Sequence, residues 1–253
     1  MIVQERRDRL RRELERSPRC SVSRLQDVLG VSRATIRRDL IELEARGELV
    51  RVHGGVMASG LIRGESTFEA RRSEHAAAKR AIGEAAAGLV AEGETAFLDA
   101  GTTCLEVARR LLLRPDVRLV THSVPVLAAA EGSETEVIGI GGALRRPSNA
   151  MVGDLAADWL DALHVDVAFL GASGLSLEDG ASTTEPTEAS VKRTVIRRAG
   201  RTVLCTDASK LDRPSTVRFA AWDEVDTLVT DDPPPRVRAR LSRHTTIRLS
   251  GRP

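Results

Sequence analysis

The stretch FLDAGTTCLEVARRL, residues 97–111, joins the end of a strand to the start of a helix. A short apolar run ends at Asp99. Gly101, Thr102 and Thr103 follow it, and apolar residues then recur at helical spacing. Glycine lets a backbone approach an anion, and the N–H groups and hydroxyls at a helix start can bind it. The stretch therefore predicts an anion site, with a threonine-capped helix that binds nothing as the alternative.

The same alternation of strand and helix continues through the rest of the chain after residue 67. Short apolar runs, each followed by small or polar residues, alternate with helical stretches. The runs are Thr95–Leu98, Arg118–Thr121, Glu136–Ile140, Val165–Leu170, Thr202–Thr206 and Thr227–Thr230. Strands that alternate with helices predict an α/β domain whose mainly parallel sheet is covered on both faces.

Polar residues and glycines follow several of these predicted strands. Ligands of open α/β sheets bind at the carboxyl ends of the strands, so we expect these loops to form one pocket. The residues expected in it are Asp99, Gly101, Thr102, Thr103, His122, Ser123, Gly141, Gly142, Gly171, Ser173, Asp207 and Lys210.

Glu188 and Lys192 are four residues apart, so they share one face of a predicted helix. An exposed ion pair is the usual meaning of this spacing. The chain has only three lysines, Lys79, Lys192 and Lys210, and its other basic residues are arginines. Because the chain otherwise uses arginine, these three lysines are candidates for a specific role.

Residues 1–53 follow a different pattern, with three helices and then short strands. The sequence of Ser23 to Gln26 fits a capping box with Ser23 as the N-cap, and Leu25, Val28 and Leu29 form an apolar face.

The next helix follows after a very short turn. Gly30 suits the left-handed position after a helix, and Ser32 suits the N-cap of the next one. Ile36, Leu40 and Leu43 form the inward stripe of that helix. Two helices joined so tightly predict a helix-turn-helix.

The outward face of the second helix is suited to DNA. Arginine can bond guanine in the major groove or bind phosphate, and a small residue permits close approach. Gly47 is expected to end the helix, and residues 49–52, LVRV, alternate like a wing hairpin. The residues expected to contact DNA are Ser32, Arg33, Ala34, Thr35, Arg37, Arg38 and Arg51.

The distribution of charge agrees with this expectation. Residues 1–60 hold 13 arginines and 9 acidic residues, a net charge of +4, whereas the remaining residues hold 25 basic and 27 acidic residues, a net charge of −2. Aromatic residues make up 2% of the chain and tyrosine is absent, which argues against binding of single strands by base stacking.

Other function classes are disfavoured by the sequence. Cys20, Cys104 and Cys205 are odd in number and far apart, which argues against a disulfide framework or a zinc site. No apolar run approaches the length that a membrane span needs, and the charged N-terminus does not read as a secretory signal. We therefore expect a cytoplasmic protein without a metal, a cofactor or a membrane partner.

Several motifs are similar to one known family. Residues 31–56, VSRATIRRDLIELEARGELVRVHGGV, resemble the winged helix-turn-helix of the deoxyribose-operon-repressor (DeoR) family. The resemblance covers roughly residues 3–250. It continues in FEARR (68–72), FLDAGTT (97–103), IGGALR (140–145), VGDLA (152–156), AFLGASG (168–174), EASVKR (188–193) and DASK (207–210).

The resemblance implies a bacterial transcription regulator, most often a repressor of a sugar operon. Its C-terminal domain is similar to sugar-phosphate isomerases and senses a phosphorylated sugar, and the resemblance places Glu188, Lys192 and Lys210 in that site. His122 and Ser173 depart from the family pattern, which more often has Asn and Asp there. The expected domains are a winged helix-turn-helix (1–56), a linker (57–73) and an effector domain (74–253).

Two alternatives to this regulator remain. A sugar-phosphate isomerase fused to a DNA-binding head would need a base, which Asp99, Glu188 or Asp207 could supply, and Cys104 near a helix start could be a nucleophile. An architectural DNA binder would use its second domain only for dimerisation. The partners expected for the regulator are double-stranded operator DNA, a sugar phosphate and one or three further copies, in a homodimer or homotetramer.

Overall fold

The computed structural model of the chain describes residues 3–16, 19–45, 49–52, 55–58 and 66–251. Contacts between residues divide the chain into two compact units, with the division between Thr67 and Phe68. We refer to them as the N-terminal and the C-terminal unit.

The N-terminal unit combines three helices with a small antiparallel sheet in the order β1-β3-β2. Its elements are α1 (Val3–Arg16), β1 (Arg19–Ser21), α2 (Val22–Leu29), α3 (Arg33–Ala45), β2 (Leu49–Val52) and β3 (Gly55–Ala58). The three helices and the hairpin of β2 and β3 are those of a winged helix-turn-helix, as predicted, whereas strand β1 between α1 and α2 was not predicted.

The inward faces of α2 and α3 form the core of this unit together with residues of α1 and of the three strands. Gly30 adopts φ 63° after α2, and Ile36, Leu40 and Leu43 of α3 are buried, so both expectations are confirmed. Two details of the prediction for α2 were wrong. The N-cap of α2 is Ser21, whose hydroxyl accepts the N–H of Arg24, and not Ser23. Val28 is 46% exposed, and the buried residues of that helix are Leu25 and Leu29.

The C-terminal unit is built on a parallel sheet. Seven described strands pair in the order β15-β14-β12-β9-β4-β5-β6, and every pairing is parallel. The strands are β4 (Thr95–Leu98), β5 (Arg118–Thr121), β6 (Glu136–Gly139), β9 (Val165–Leu170), β12 (Ala199–Cys205), β14 (Thr227–Thr230) and β15 (Thr246–Leu249). All six predicted strands are present, and β15 at the edge is an additional one.

Helices cover both faces of this sheet, which confirms the predicted α/β architecture. In β4 the side chains alternate: Ala96 and Leu98 pack in the cluster that contains α5 and α6, and Phe97 packs in the cluster that contains α8 and α9. The helices are α4 (Phe68–Ser73), α5 (Ala76–Ala87), α6 (Thr102–Leu111), α7 (Val124–Ala129), α8 (Asp154–Asp161), α9 (Pro186–Arg198) and α10 (Pro235–Leu241).

Two smaller antiparallel sheets were not predicted. The β7–β8 hairpin and the β10-β11-β13 sheet are built from runs of only three or four residues, too short for a clear alternation of apolar and polar positions. Their strands are β7 (Ala143–Arg145), β8 (Ala150–Val152), β10 (Gly174–Ser176), β11 (Gly180–Thr183) and β13 (Val217–Ala220).

The segment expected to be a linker, residues 57–73, begins and ends in regular structure. Its first two residues belong to β3, and Phe68–Ser73 forms α4, whose Phe68 is 3% exposed in the core of the C-terminal unit. Residues 59–65 lie outside the described part of the chain. The expected domain boundaries stay a prediction.

The β10–β11 turn requires a glycine at position 180, and a substitution there tests this requirement. Gly180 adopts φ 106°, and a Cβ there would collide with the carbonyl oxygen of Ala220. We expect Gly180→Ala to lower the free energy of unfolding of the C-terminal unit by more than about 3 kcal/mol. Gly93→Ala is the matched control, because Gly93 adopts φ 79° but has open space around it. It should cost about 1 kcal/mol.

Urea denaturation measures the difference directly. Both tryptophans of the chain, Trp159 and Trp222, lie in the C-terminal unit, so tryptophan fluorescence reports the unfolding of that unit alone. Equal losses in the two variants would show that the contact with Ala220 does not constrain the turn.

Candidate functional site

The first candidate surface is the N-terminal half of α3. The hydroxyl of Ser32 accepts the backbone N–H of Thr35 at 3.3 Å, which confirms Ser32 as the N-cap. Arg33, Ala34, Arg37 and Arg38 are exposed, and Thr35 is half-buried. The helix therefore presents a small residue, hydroxyls and guanidiniums on one outward face, a composition that can contact base edges and phosphates.

A network of charged side chains that was not predicted from the sequence fixes α3 on α1. Asp39 is 1% exposed, and its carboxylate accepts from Arg6 Nε at 2.5 Å and from Arg7 Nε at 3.3 Å. Arg7 also donates to Glu42 at 2.8 Å. These partners are more than 30 positions apart in sequence, so no local spacing reveals them. The buried carboxylate needs its cations, and the network therefore orients the outward face of α3.

Two expectations for this unit fall on residues whose placement is not described. Arg51 belongs to β2, but its side chain lies outside the described part of the chain. Gly47, expected to end α3, lies outside the described residues, and α3 ends at Ala45 before it. The phosphate contact of Arg51 stays a prediction.

The second candidate site lies where the order of strands in the sheet reverses. From β4 the chain adds β5 and β6 on one side and β9, β12, β14 and β15 on the other, so the boundary between β4 and β9 is a topological switch point. Asp99 follows β4 and Gly171 follows β9. The N–H of Gly171 donates to Asp99 Oδ2 at 2.8 Å, which joins the two loops. We refer to Asp99 and its direct partners as the Asp99 cluster.

Lys192 of α9 belongs to the Asp99 cluster. Its ammonium donates to Asp99 Oδ2 and, at 3.0 Å, to the carbonyl oxygen of Gly171, and it lies 5.0 Å from the centroid of the Phe219 ring. Lys192 is 6% and Glu188 is 8% exposed, and each has other partners. The alternative of an exposed ion pair between them is therefore wrong.

His122 completes the cluster from the end of β5. Its Nε2 lies 3.1 Å from Asp99 Oδ1 and 3.3 Å from the backbone nitrogen of Ala100. Its Nδ1 lies 2.8 Å from the carbonyl oxygen of Met151, and because a carbonyl only accepts, Nδ1 carries a hydrogen. The ring is buried and stacks on Phe97. His122 therefore has a fixed orientation.

The cluster fixes the ionisation of its carboxylate. Burial disfavours the charged form of Asp99, but the ammonium of Lys192 and then His122 outweigh it, so the pKa of Asp99 lies well below its ordinary value. Asp99 is therefore a permanent negative charge that holds Lys192 at the switch point.

The same environment keeps the nearby thiols neutral. Burial, reinforced by the negative charge of Asp99, raises the pKa of Cys104 and of Cys205. A nucleophilic cysteine needs the opposite shift, toward the thiolate. Cys104 is therefore a packing residue of α6 and not an activated nucleophile.

The start of α6 lies beside the Asp99 cluster. Gly101 is its N-cap, and a Cβ there would lie 3.7 Å from the Cα of Gly171, so the two loops approach closely. Thr102 and Thr103 are each 7% exposed, and neither hydroxyl has a hydrogen-bond partner among the described residues. The first N–H groups of a helix also lack partners within the helix. This corner therefore offers several hydrogen-bond donors to an anion.

Glu188 lies in a second buried cluster. It accepts from Arg145 at 3.0 Å and from the hydroxyl of Thr183 at 3.0 Å, and Arg145 also donates to Ser148 at 3.1 Å. Arg145 is not among the predicted site residues, and its only signal in the sequence is its place at the end of IGGALR. Glu188 and Lys192 are thus close along α9 but fixed by different partners.

The DASK loop brings a further lysine. Asp207 is buried and accepts the N–H of Ser209 at 3.1 Å. Lys210 is half-buried, and among the described residues its ammonium has no hydrogen-bond or ion-pair partner. It is therefore a cation available to a ligand.

The remaining predicted residues differ in their surroundings. Ser123 caps α7, since its hydroxyl accepts the N–H of Val126 at 3.4 Å. Gly141 and Ser173 are exposed. Gly142 adopts φ 151°, and a Cβ would lie 2.8 Å from the carbonyl oxygen of Val152. Packing of β7 against β8 thus explains this glycine without a ligand.

Over residues 3–251, wherever placement is described, no group of three or more His, Cys, Asp or Glu side chains is arranged to hold a metal ion. The described helices include none that is long and apolar enough to span a bilayer.

Comparisons with known families match both units. The family profile described as DeoR-like helix-turn-helix domain matches residues 6–59, and the profile described as DeoR C terminal sensor domain matches residues 74–232. The second match alone covers more than half of the chain.

Curated relatives and a solved structure are also similar to this chain. The HTH-type transcriptional regulator GlpR of Haloferax volcanii is 38% identical over 91% of this chain and 91% of its own. The putative aga operon transcriptional repressor of Escherichia coli O157:H7 is 34% identical over 90% of this chain and 86% of its own. Ribose 5-phosphate isomerase A of Methanocaldococcus jannaschii overlaps 53% of each chain at 22% identity and a TM-score of 0.38, too slight a likeness to support an argument.

These matches distinguish the transcription regulator from the isomerase alternative. The relatives are named as transcription regulators, and a DNA-binding domain and a sensor domain are both matched. The isomerase alternative is therefore not supported, and the protein is a DNA-binding regulator with a sensor domain and not an enzyme. The chain belongs to the DeoR family of transcription regulators.

Proposed function

We propose that this protein represses an operon for carbohydrate uptake or catabolism and leaves its operator when a phosphorylated sugar binds the C-terminal unit. The Asp99 cluster carries the proposal: a fixed lysine and unpartnered helix-start donors lie together at the switch point of a sensor domain. One relative is named the putative aga operon transcriptional repressor, which supports repression of an operon.

The proposed DNA contacts come from the first turns of α3 and from the wing. Helix α3 is the recognition helix and lies in the major groove, where its guanidiniums reach base edges and phosphates. The contacting residues are Ser32, Arg33, Ala34, Thr35, Arg37, Arg38 and Arg51. The proposed domains are the DNA-binding domain (1–56), the linker (57–73) and the effector domain (74–253). The protein acts in the cytoplasm.

The proposed effector site surrounds the carboxyl ends of β4, β5, β9 and β12. A phosphate group would take its hydrogen bonds from the start of α6 and its countercharge from Lys210, whereas Asp99, Lys192 and His122 would bind the sugar hydroxyls. Glycines let the backbone approach, and Ser173 lies at the rim. The full set is Asp99, Gly101, Thr102, Thr103, His122, Ser123, Gly141, Gly142, Gly171, Ser173, Glu188, Lys192, Asp207 and Lys210.

Release of DNA then follows from linkage between two sites. A helix-turn-helix reads half-sites as a dimer, so we propose a homodimer or homotetramer whose two recognition helices match the half-site spacing. If the effector prefers a conformation with a different spacing, it weakens DNA binding, and DNA weakens effector binding by the same factor.

The first experiment measures this linkage. Fluorescence anisotropy would follow the full chain on labelled DNA from upstream of its own gene at fixed salt, because phosphate contacts make the affinity salt-dependent. A panel of sugar phosphates is then added beside the corresponding free sugars. Release by one phosphorylated compound and not by its free sugar is expected. Equal release by the free sugar, or release by none, would contradict the proposed effector class.

Removal of two guanidiniums from α3 tests the DNA surface. We expect Arg37→Ala with Arg38→Ala to weaken operator binding by about 100-fold or more, since each contact contributes about 1–3 kcal/mol. Arg109→Ala with Arg110→Ala removes two exposed helical arginines from the C-terminal unit and is the matched control. Anisotropy measures both, and effector binding by calorimetry should stay unchanged in both. Comparable losses of DNA affinity would refute the assignment.

The buried pair of the Asp99 cluster gives a stability prediction. Lys192→Met leaves the carboxylate of Asp99 buried without its cation, so we expect the free energy of unfolding to fall by about 3–5 kcal/mol. Lys192→Met combined with Asp99→Asn removes both charges and should regain most of that loss. Urea denaturation of the single and double variants measures this, and equal instability of the two would contradict it.

The double variant also tests the effector site without a folding defect. We expect Lys192→Met with Asp99→Asn to bind operator normally but to need at least about 100-fold more effector for release, because two polar groups that hold the sugar are altered. Arg197→Met removes an exposed cation from the same helix and should respond like the wild type. A normal response of the double variant would place the effector elsewhere.

A further inference from the structure

A single aromatic side chain of this protein lies on its surface. The chain has only six aromatic residues, four phenylalanines and two tryptophans. Trp159 of α8 is 54% exposed, whereas each of the other five is at most 3% exposed. The buried ones are Phe68, Phe97, Phe169, Phe219 and Trp222. Tryptophan is enriched where protein surfaces bind each other, so Trp159 is the first indication of a docking surface.

Trp159 belongs to an apolar stripe along α8. Leu155 lies four residues before it, so the two side chains share one face of the helix, and Leu155 is 60% exposed. The buried residues of α8 are instead Ala156 and Leu160, which pack in the core cluster that contains α8 and α9. The helix therefore contacts the core through one face and leaves the stripe of Leu155 and Trp159 outside it.

The β7–β8 hairpin, which precedes α8, has a buried face and an exposed face. Arg145 pairs across the strands with Ala150; the side chain of Arg145 is 9% exposed and Ala150 is fully buried. Leu144 pairs with Met151; Leu144 is 52% exposed and Met151 is half-buried. Because side chains alternate along a strand, the hairpin turns Leu144 and Met151 away from the core.

The exposed sides of the hairpin and of α8 are neighbours. Gly153 alone separates β8 from α8. A Cβ at Gly142, just before β7, would lie 3.2 Å from the Cβ of Ala156, so the hairpin also packs against the helix there. Large apolar side chains grouped in one place mark an interaction surface, whereas scattered ones do not. We refer to Leu144, Met151, Leu155 and Trp159 as the hairpin–α8 surface.

Charges of opposite sign lie at the two ends of this surface. Arg146 is exposed in the turn of the hairpin, at the end farther from α8, and Asp158 is exposed on α8. Asp154 and Asp161 are exposed on the same helix, which contains no basic residue. A two-fold rotation can therefore place the hairpin turn of each copy against α8 of the other, so that arginine meets carboxylate twice. The surface is complementary in charge to itself.

We propose that the hairpin–α8 surface is the contact through which two copies of this chain associate. The two copies are related by two-fold symmetry, Trp159 is buried in the contact, and Arg146 of each copy lies against Asp158 of the partner subunit. The occupant is a second copy because the charges are self-complementary and because the proposed function, on which this choice also rests, needs two recognition helices for two half-sites.

The position of the hairpin suits a contact that an effector can alter. Its buried face meets the proposed effector site, where Arg145 donates to Glu188 at 3.0 Å and the carbonyl oxygen of Met151 accepts from His122 Nδ1 at 2.8 Å. An effector that shifts the hairpin shifts the contact between the two copies. That is the kind of change that links effector binding to half-site spacing.

Sedimentation velocity of the full chain over a range of concentrations measures the association. We expect Trp159→Ser to weaken it by at least about 100-fold, because symmetry removes this side chain from the contact twice. If the wild type is a tetramer, the variant should be a dimer. Leu113→Ser is the matched control and should associate like the wild type, since Leu113 is 76% exposed but follows α6, outside the surface.

Three results would overturn the proposal, and they differ in what they leave standing. Unchanged association of Trp159→Ser, or an equal loss in Leu113→Ser, would assign the contact between copies to another surface and leave the proposed function intact. A wild type that stays monomeric at every concentration would contradict the proposed oligomer as well. If no sugar phosphate releases DNA, the proposed effector class fails, but sedimentation still decides the surface.

Reversal of charge tests the two-fold arrangement. We expect Arg146→Asp and Asp158→Arg each to weaken association by at least about tenfold, since like charges then meet twice. The chain with both substitutions should associate within about threefold of the wild type, because each reversed charge meets a reversed partner. A double variant as weak as the product of the two single losses would overturn the arrangement.

The fluorescence of Trp159 gives an independent readout. Trp222 is 3% exposed in each folded copy, so acrylamide quenches mainly Trp159 once the copies separate. We expect stronger quenching in Asp158→Arg, which keeps both tryptophans, than in the wild type at the same concentration. Equal quenching of an associated wild type and a dissociated Asp158→Arg would show that Trp159 lies outside the contact and would overturn the proposal.

Discussion

The C-terminal unit depends on the buried charge pair between Asp99 and Lys192. Neither charge could stay in the interior alone, and together they join the loop after β4, the loop after β9 and helix α9. These are the elements on the two sides of the switch point. The pair therefore closes the sheet at the one place where its topology leaves a crevice, and it orients the polar groups that line it.

Much of this arrangement could be predicted from the sequence. The six strands follow from short apolar runs, and α3 follows from Gly30, Ser32 and the stripe of Ile36, Leu40 and Leu43, because these signals are local. The partner of Lys192 could not be predicted, since Asp99 lies 93 positions away and the nearer Glu188 fits the same helical spacing. Long-range pairing is decided by packing, which spacing along one helix does not contain.

The residues that sequence reasoning missed have one property in common. Arg6, Arg7 and Arg145 are basic side chains in a chain rich in arginine, and each is distinguished only by a buried partner far away in sequence. Composition makes such residues look like a solvated surface. The structure separates them from the exposed arginines of α3, which have similar local sequence but face solvent.

The contrast between the Asp99 cluster and its rim has a consequence for evolution. Asp99 meets a backbone N–H, an ammonium and an imidazole at once, so a single substitution in this set leaves a buried group unsatisfied. The exception is a replacement that restores a hydrogen-bonding group, as His122 can where the family pattern more often has Asn. Ser173 and Gly141 are exposed and free of this constraint. Divergence of effector preference among related proteins is therefore expected to begin at the rim, one residue at a time, around an inherited centre.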